Sequence, residues 1–293
     1  MSNLQSNLQF DQALNLFSQS LASSGKSINT IVAYKGDINQ LIKYFQADLN
    51  VPTVDAVTTA HIDKFKKHLG KNNYTAKSIS RKLNSIKNFF SFLKNEGVIS
   101  DDPSSDVKHP KYENDLPKIL KPIEYRALRD ACRNDNRSLA IVELMLQAGL
   151  RIKEIEILKL DNIGPIQLTI DTYESHPVRQ VPLNNSAKTA LDRYIKDTRY
   201  QSKSGTVFVT KTGRPLLARN IRSLLNRYFT KAGISGAKVN DLRNTFIVFQ
   251  LKSGVPIDVV SQIVGHKRIS TTEKYLELIE NKEEAKSIKL KEL

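Results

Sequence analysis

Gly265-His266-Lys267-Arg268-Ile269-Ser270-Thr271-Thr272-Glu273-Lys274-Tyr275 lies near the C-terminal end of a 293-residue chain, and the rest can be read outward from it. Before it stands an apolar run, Pro256 to Val264, with proline at its head. That pattern predicts a short helix with Pro256 at its first position and Gly265 as a left-handed stop. Ser270 and Glu273 have the spacing of a capping box, which predicts a second helix from Thr271 with Tyr275 in its second turn. A turn of this kind can bring the imidazole of His266 and the phenol of Tyr275 to one pocket. Alone it proves little, because a helical tyrosine is more often a packing residue.

Two stretches upstream supply its company. Ala148-Gly149-Leu150-Arg151 is followed by Glu154, and Asn240-Asp241-Leu242-Arg243 opens a predicted helix. The segments "AGLRIKE", "NDLRNTF" and "IVGHKRISTTEKY", in this order, resemble the catalytic motifs of the tyrosine recombinases, the Xer and phage-integrase family. The nine-residue step from His266 to Tyr275, with Ser-Thr-Thr between, is similar to the Xer branch. The resemblance extends over nearly the whole chain.

Composition bounds the reading independently. The length suggests two domains. Lysine and arginine outnumber acidic residues 45 to 30, a net charge of +15, and the excess recurs in both halves, which favours a polyanion partner. No apolar run approaches a membrane span. The polar start, "MSNLQSNLQ", is no signal peptide. A single cysteine, Cys132, excludes an internal disulfide and suits a reducing cytoplasm. No His/Cys cluster or paired carboxylates point to a metal, and no cofactor is expected.

Along the chain, helices are predicted over 8–24, 28–46, 58–69 and 76–96. Gly25-Lys26-Ser27 imitates the end of a phosphate loop but reads as a helix-to-helix turn, since no strand precedes it. In the fourth helix Ile79, Leu83, Ile86, Phe90 and Leu93 form an apolar stripe. Lys77, Arg81, Asn84, Ser85 and Asn88 are placed on the opposite side, where they suit phosphates and base edges or simply water. Beside a recombinase-like second half, this unit looks like the family's four-helix core-binding domain, which tips the face towards DNA. The expected division is 1–98 for that domain, 99–119 for an extended linker and 120–293 for a catalytic domain. The latter opens with Pro122, buries the helix 137–148, and continues through strands "IQLTID" and "VRQVPL" joined by "TYESHP". A helix over 186–198, a strand "TVFVT", and basic or mixed helices over 218–231 and 240–252 follow. The expected class is mainly α with a small antiparallel β-sheet. The charged run from Glu280 is either a solvated tail or, as the resemblance implies, a helix that docks on a neighbouring subunit of a homo- or hetero-tetramer.

The resemblance implies a metal-free cut of double-stranded DNA. Tyr275 would attack phosphorus to give a 3′-phosphotyrosyl ester, which conserves the bond for rejoining. Arg151 and Arg243 would hold the non-bridging oxygens, His266 would donate to one, and Glu154 would orient an arginine. Two positions depart from the family. Asn240 stands where histidine is usual and cannot transfer a proton; it is also a plausible N-cap. Glu174 stands where the hairpin turn usually carries lysine, leaving His176 as the nearest substitute acid. These departures keep two alternatives open: a weakened homologue that binds DNA sites as an architectural subunit, and a type IB topoisomerase-like relaxation.

Overall fold

The computed structural model describes residues 8–113, 115–174 and 176–279. The polar N-terminal start and the run from Glu280 fall outside the described residues, except for Leu8 and Gln9. The chain divides into two compact units after residue 114.

The first unit holds α1 (Phe10–Ser23), α2 (Ile28–Asp48), α3 (Thr59–Lys71) and α4 (Ala76–Asn95). Their starts follow from side-chain capping: the Ser27 hydroxyl accepts from Thr30 N (3.3 Å) and the Thr75 hydroxyl from Ser78 N (3.2 Å). Gly25, at φ 71°, makes the turn between α1 and α2. The predicted stripe of α4 is buried throughout and meets Phe17, Phe45 and Phe65 from the other helices.

Packing continues past α4. Val98, Ile99 and Val107 are buried in the same core, Asp102 accepts from Ser104 N and Oγ (2.8 and 2.6 Å), and His109 Nδ1 pairs with the Ser80 hydroxyl (3.0 Å). The stretch that composition reads as a linker is therefore fastened to the first unit as far as His109.

The second unit holds α5 (Pro122–Cys132), α6 (Asn136–Gln147), α7 (Ile152–Ile157), β1 (Gln167–Ile170), β2 (Arg179–Pro182), α8 (Asn185–Arg193), α9 (Ala218–Lys231), α10 (Val239–Lys252), α11 (Ile257–Val264) and α12 (Ser270–Glu273). The strands pair antiparallel, from Gln167 opposite Pro182 to Ile170 opposite Arg179. α6 is the buried centre, with Ala140, Ile141, Val142 and Leu144 fully enclosed. A second cluster of Phe246, Ile247, Val248, Val260 and Val264 joins α10 to α11 and includes Tyr275. Among the described residues no helix is long and apolar enough to cross a membrane.

Four local expectations are corrected. "TVFVT" is not a strand: Val207 N donates to Leu158 O (2.8 Å), whereas Phe208 O accepts from Leu216 N (2.9 Å). Its backbone is shared between two segments, so no ladder forms. The helix expected over 186–198 gives way at Arg193 to a wider turn, Tyr194–Thr198. The capping box at Ser270 does not form. Backbone bonds from Thr271 N to Arg268 O (3.0 Å) and from Thr272 N to Ile269 O (2.7 Å) start the turn earlier, and Tyr275 lies just beyond α12. Asn240 is no N-cap: α10 begins at Val239, and Asp241 reaches back to Lys238 N (2.8 Å).

Candidate active site

Glu154 organises the pocket. It is fully buried near the start of α7 and accepts from Arg151 N and Nη1 (2.8 Å each), from Arg179 Nη1 and Nη2 (2.8 Å each) and from the Tyr173 hydroxyl (3.2 Å). Burial alone would raise its pKa, but hydrogen bonds and charge from Arg179, then Arg151, outweigh that and hold it at about 2. One carboxylate thus fixes two guanidinium groups in the planar fork geometry that suits them.

The arginines are also fastened to backbone. Arg151 Nη2 donates to Gly265 O (2.7 Å), Arg179 Nε to Ile263 O (2.8 Å), Arg243 Nη2 to Val264 O (2.5 Å) and Arg243 Nη1 to Gly149 O. Three consecutive carbonyls at the end of α11 therefore receive three different arginines. Gly265, at φ 64°, is the predicted left-handed stop, and it has a second duty. A Cβ there would stand 3.0–3.1 Å from the Arg179 guanidinium and its neighbouring carbon. Gly149, at φ 63°, lets the chain leave α6 so that Arg151 follows directly.

The turn after Gly265 delivers the remaining groups. His266 Nδ1 pairs with the buried Thr272 hydroxyl (2.8 Å), and its ring stacks on Tyr275 with centroids 6.2 Å apart and 16° between planes. The Tyr275 hydroxyl donates to Asn244 Oδ1 (2.9 Å), which also accepts from Asn240 Nδ2 (3.1 Å). Asn244 Nδ2 in turn donates to the backbone carbonyl of Lys118 (3.0 Å).

Burial first, and the cations second, set the protonation of the groups in the pocket. Burial, then Arg243, Arg151 and Arg179, pulls His266 down to about 4, so its imidazole is neutral at pH 7. Assigning the Thr272 hydroxyl as donor to Nδ1 places the ring proton on Nε2, which is then free to donate. Burial and Arg151 lower Arg243 to about 9, still protonated at neutral pH. Burial raises Tyr275. Three guanidinium groups gathered round one pocket, with the innermost, Arg243, made less willing to hold its charge, are what a site for an anion looks like before the anion arrives.

Arg151, Glu154, Arg243, His266 and Tyr275 thus meet in one pocket. Asn240 reaches it through Asn244 and lines a cleft of about 540 Å³ with Arg151, Lys153, Arg222 and Lys238. Glu174 occupies the exposed hairpin tip in a left-handed conformation, φ 51°. His176 packs against Tyr173 with ring centroids 4.9 Å apart, and its Nδ1 is buried without a partner among the described residues. Burial, then Arg151 and Lys267, lowers its pKa, so the imidazole is neutral and poorly suited to give up a proton.

On α4, Lys77, Arg81, Asn84 and Asn88 are exposed as expected. At about 100° per residue they fall within an arc of about 60°. Ser85 does not belong with them. It lies about 80° round from Lys77, is fully buried, and donates to Asp37 Oδ2 (2.8 Å). Arg81 bonds the same carboxylate through both terminal nitrogens (2.6 and 2.9 Å) while its side chain stays half exposed. Burial opposes ionisation of Asp37, but bonds from Arg81, Lys82 and Ser85 keep its pKa low.

Sequence reasoning missed Arg179, Tyr173, Thr272 and Asn244. Arg179 had a signal: it shares a strand face with buried Val181, an inward position. Asn244 stands one helical turn from Asn240 and so on the same face.

Comparison with known proteins gives the family. Residues 118–282 match the phage integrase family, and residues 14–97 match the phage integrase N-terminal SAM-like domain. The chain is 30% identical over 277 residues to tyrosine recombinase XerC of Anoxybacillus flavithermus, covering 89% of this chain and 91% of that one. It is 29% identical over 259 residues to the XerC of Roseiflexus sp. (strain RS-1), covering 84% and 82%. In fold it resembles a lambda integrase (75–356) dimer bound to a COC′ core site, with a TM-score of 0.76 at 18% identity over 92% of this chain and 95% of that one. The chain belongs to the phage integrase family, and it is a tyrosine recombinase.

Proposed function

We propose that this chain recombines DNA at a specific site by cutting and rejoining one strand at a time through Tyr275. The phenol oxygen bonds to phosphorus as the bond to O5′ breaks. The phenol gives up one proton and the departing O5′ takes one up, so a 5′-hydroxyl leaves with no net change in protons, and the 3′-phosphotyrosyl ester is later resolved by a 5′-hydroxyl from the partner strand. Arg151 and Arg243 hold the non-bridging oxygens, where charge grows as the phosphorane forms, and neutral His266 donates through Nε2. Glu154 and Arg179 keep Arg151 aimed. A seated phosphate carries the charge opposite to the arginines and so raises both histidines towards their ordinary values.

One observation carries this reading: the end of α11 gathers Arg151 and Arg243 on adjacent carbonyls and sends His266 and Tyr275 onwards from the same turn. Lys77, Arg81, Asn84 and Asn88 on α4 are the proposed duplex contacts of the first unit. Assembly is proposed as a homo- or hetero-tetramer on paired sites through the run from Glu280, a reading supported by the similar lambda integrase tetramer bound to a Holliday junction. The place of action is the cytoplasm.

The test is a nicked DNA duplex from which the cleaved end diffuses away, trapping the covalent adduct. The wild type accumulates a protein–DNA band. Tyr275→Phe binds the duplex equally and gives none, because only the phenol oxygen is lost. An adduct from the phenylalanine variant would assign the nucleophile elsewhere. Tight binding without an adduct from the wild type would favour an architectural, non-cleaving subunit, the reading that the loss of the hairpin lysine supports.

A further inference from the structure

Asn244 touches the nucleophile, and nothing in the chemistry above uses it. Its carbonyl oxygen receives two donors, the Tyr275 hydroxyl (2.9 Å) and Asn240 Nδ2 (3.1 Å). Its amide nitrogen donates to Lys118 O (3.0 Å) and, at longer range, to Asp241 Oδ1 (3.5 Å). The bond to Lys118 fixes which way the amide faces: with Nδ2 on a carbonyl, Oδ1 must point to the phenol. The side chain is buried, so these partners are not exchanged for water.

The direction of the Tyr275 bond decides what it does. An amide oxygen can accept a hydrogen bond but cannot take the proton at neutral pH. It therefore stabilises the neutral phenol and faces the phenolate with a lone pair. For attack the phenol must give its proton to a group that can take it, which an amide oxygen cannot, so the hydrogen bond to Asn244 has to break first. Tyr275 follows a single helical turn, and its ring is packed in the cluster that joins α10 to α11, so releasing it requires that short turn to shift.

The other end of the chain of bonds is informative. Lys118 is tied into the second unit by its carbonyl and by Nζ on Ser235 O (3.2 Å), and Leu120 N donates to the Thr245 hydroxyl (2.8 Å). Residues up to His109 are fastened to the first unit. Lys118 is thus near the point where the connecting chain enters the second unit, two bonds from the nucleophile.

We propose that Asn244 is a resting-state latch, a positioning residue that keeps the Tyr275 hydroxyl docked until the chain at Lys118 shifts and frees the amide. This rests on Tyr275 being the nucleophile. Breaking the latch beforehand removes one ordinary hydrogen bond from the barrier.

Asn244→Ala in the full chain is therefore expected to raise the single-turnover rate of adduct formation on nicked DNA about fivefold, which is about 1 kcal/mol, with DNA affinity unchanged. A purely structural role would lower rate and affinity together. Asn244→Ser, whose hydroxyl can serve the Lys118 carbonyl but is too short to hold the phenol, carries the same expectation if alanine fails to fold. A second readout needs no activity. Tyr275→Phe should lower the melting temperature of the DNA-free chain, and the same change on an Asn244→Ala or Asn244→Ser background should not lower it further. Additive melting shifts, or an adduct rate that stays equal or falls while binding is retained, would overturn the latch. An adduct that survives Tyr275→Phe would instead overturn the assignment of the nucleophile.

Discussion

Glu154→Gln is the perturbation that most directly tests the architecture of the pocket. The carboxylate is fully buried and receives five hydrogen bonds, four of them from Arg151 and Arg179. Glutamine keeps the shape but offers one acceptor oxygen, and its NH₂ faces arginine donors. Removing one partner of a buried ion pair typically costs about 3–5 kcal/mol. Titration gives an independent figure. A carboxyl held at about 2 in the fold against 4.5 as its reference is worth about 3 kcal/mol at neutral pH, at about 1.4 kcal/mol per pH unit. Because the folded value is the lower one, this stability is present above pH 4.5 and is lost as pH falls towards 2. At pH 3.5 about 1.4 kcal/mol of it should already be gone. Urea unfolding of the full chain, followed by circular dichroism because the sequence has no tryptophan, should show the loss in the transition of the second unit. The gap between wild type and variant should be about 3 kcal/mol at pH 7 and visibly narrower at pH 3.5. A gap below about 1 kcal/mol, or one that does not change with pH, would mean that Glu154 is not the hub described here.

Two further outcomes are expected. DNA with sulfur in place of the 5′-bridging oxygen should be cleaved about 10²–10⁴ times faster than ordinary DNA, because a thiol of pKa about 8.5 leaves without an acid, and burial disfavours the charged form of His176, the acid nearest to the position that usually carries lysine; equal single-turnover rates would show that an acid is in place. Affinity for the duplex should fall steeply with salt, with a log–log slope of about −5 if six phosphates are neutralised, and a flat titration would contradict the role assigned to the basic excess.

The parts of the fold that sequence pattern reveals are those governed by local rules. Gly265 announces itself because a helix needs a left-handed stop, and the α4 stripe because buried faces repeat every 3.6 residues. Arg151, Arg243, His266 and Tyr275 were legible through resemblance to a motif, and the pocket brings them together. What stayed hidden depends on partners distant in the chain. "TVFVT" has strand composition, but its hydrogen bonds go to two different segments. Ser85 looks like any polar residue of α4 until Asp37 is placed opposite it. Position on a strand or helix face marks Arg179 and Asn244 as inward-facing, but not what they bind, because their partners lie 25 and 31 residues away.

Arg243 also governs what can move. The carbonyls it binds lie just past the end of α6 and at the last residue of α11, where backbone oxygens have no partner within the helix. A guanidinium that closes two helix ends cannot swing out to meet a ligand. On the proposed role of Arg243, the phosphate has to be carried to it, so the adaptation on docking falls on the duplex and on the short turn that bears Tyr275. Recognition then includes a mechanical criterion. Sites whose central base steps kink or unstack at low cost will seat their phosphate more readily than stiff ones, and sequence preference will extend to base pairs that no side chain touches.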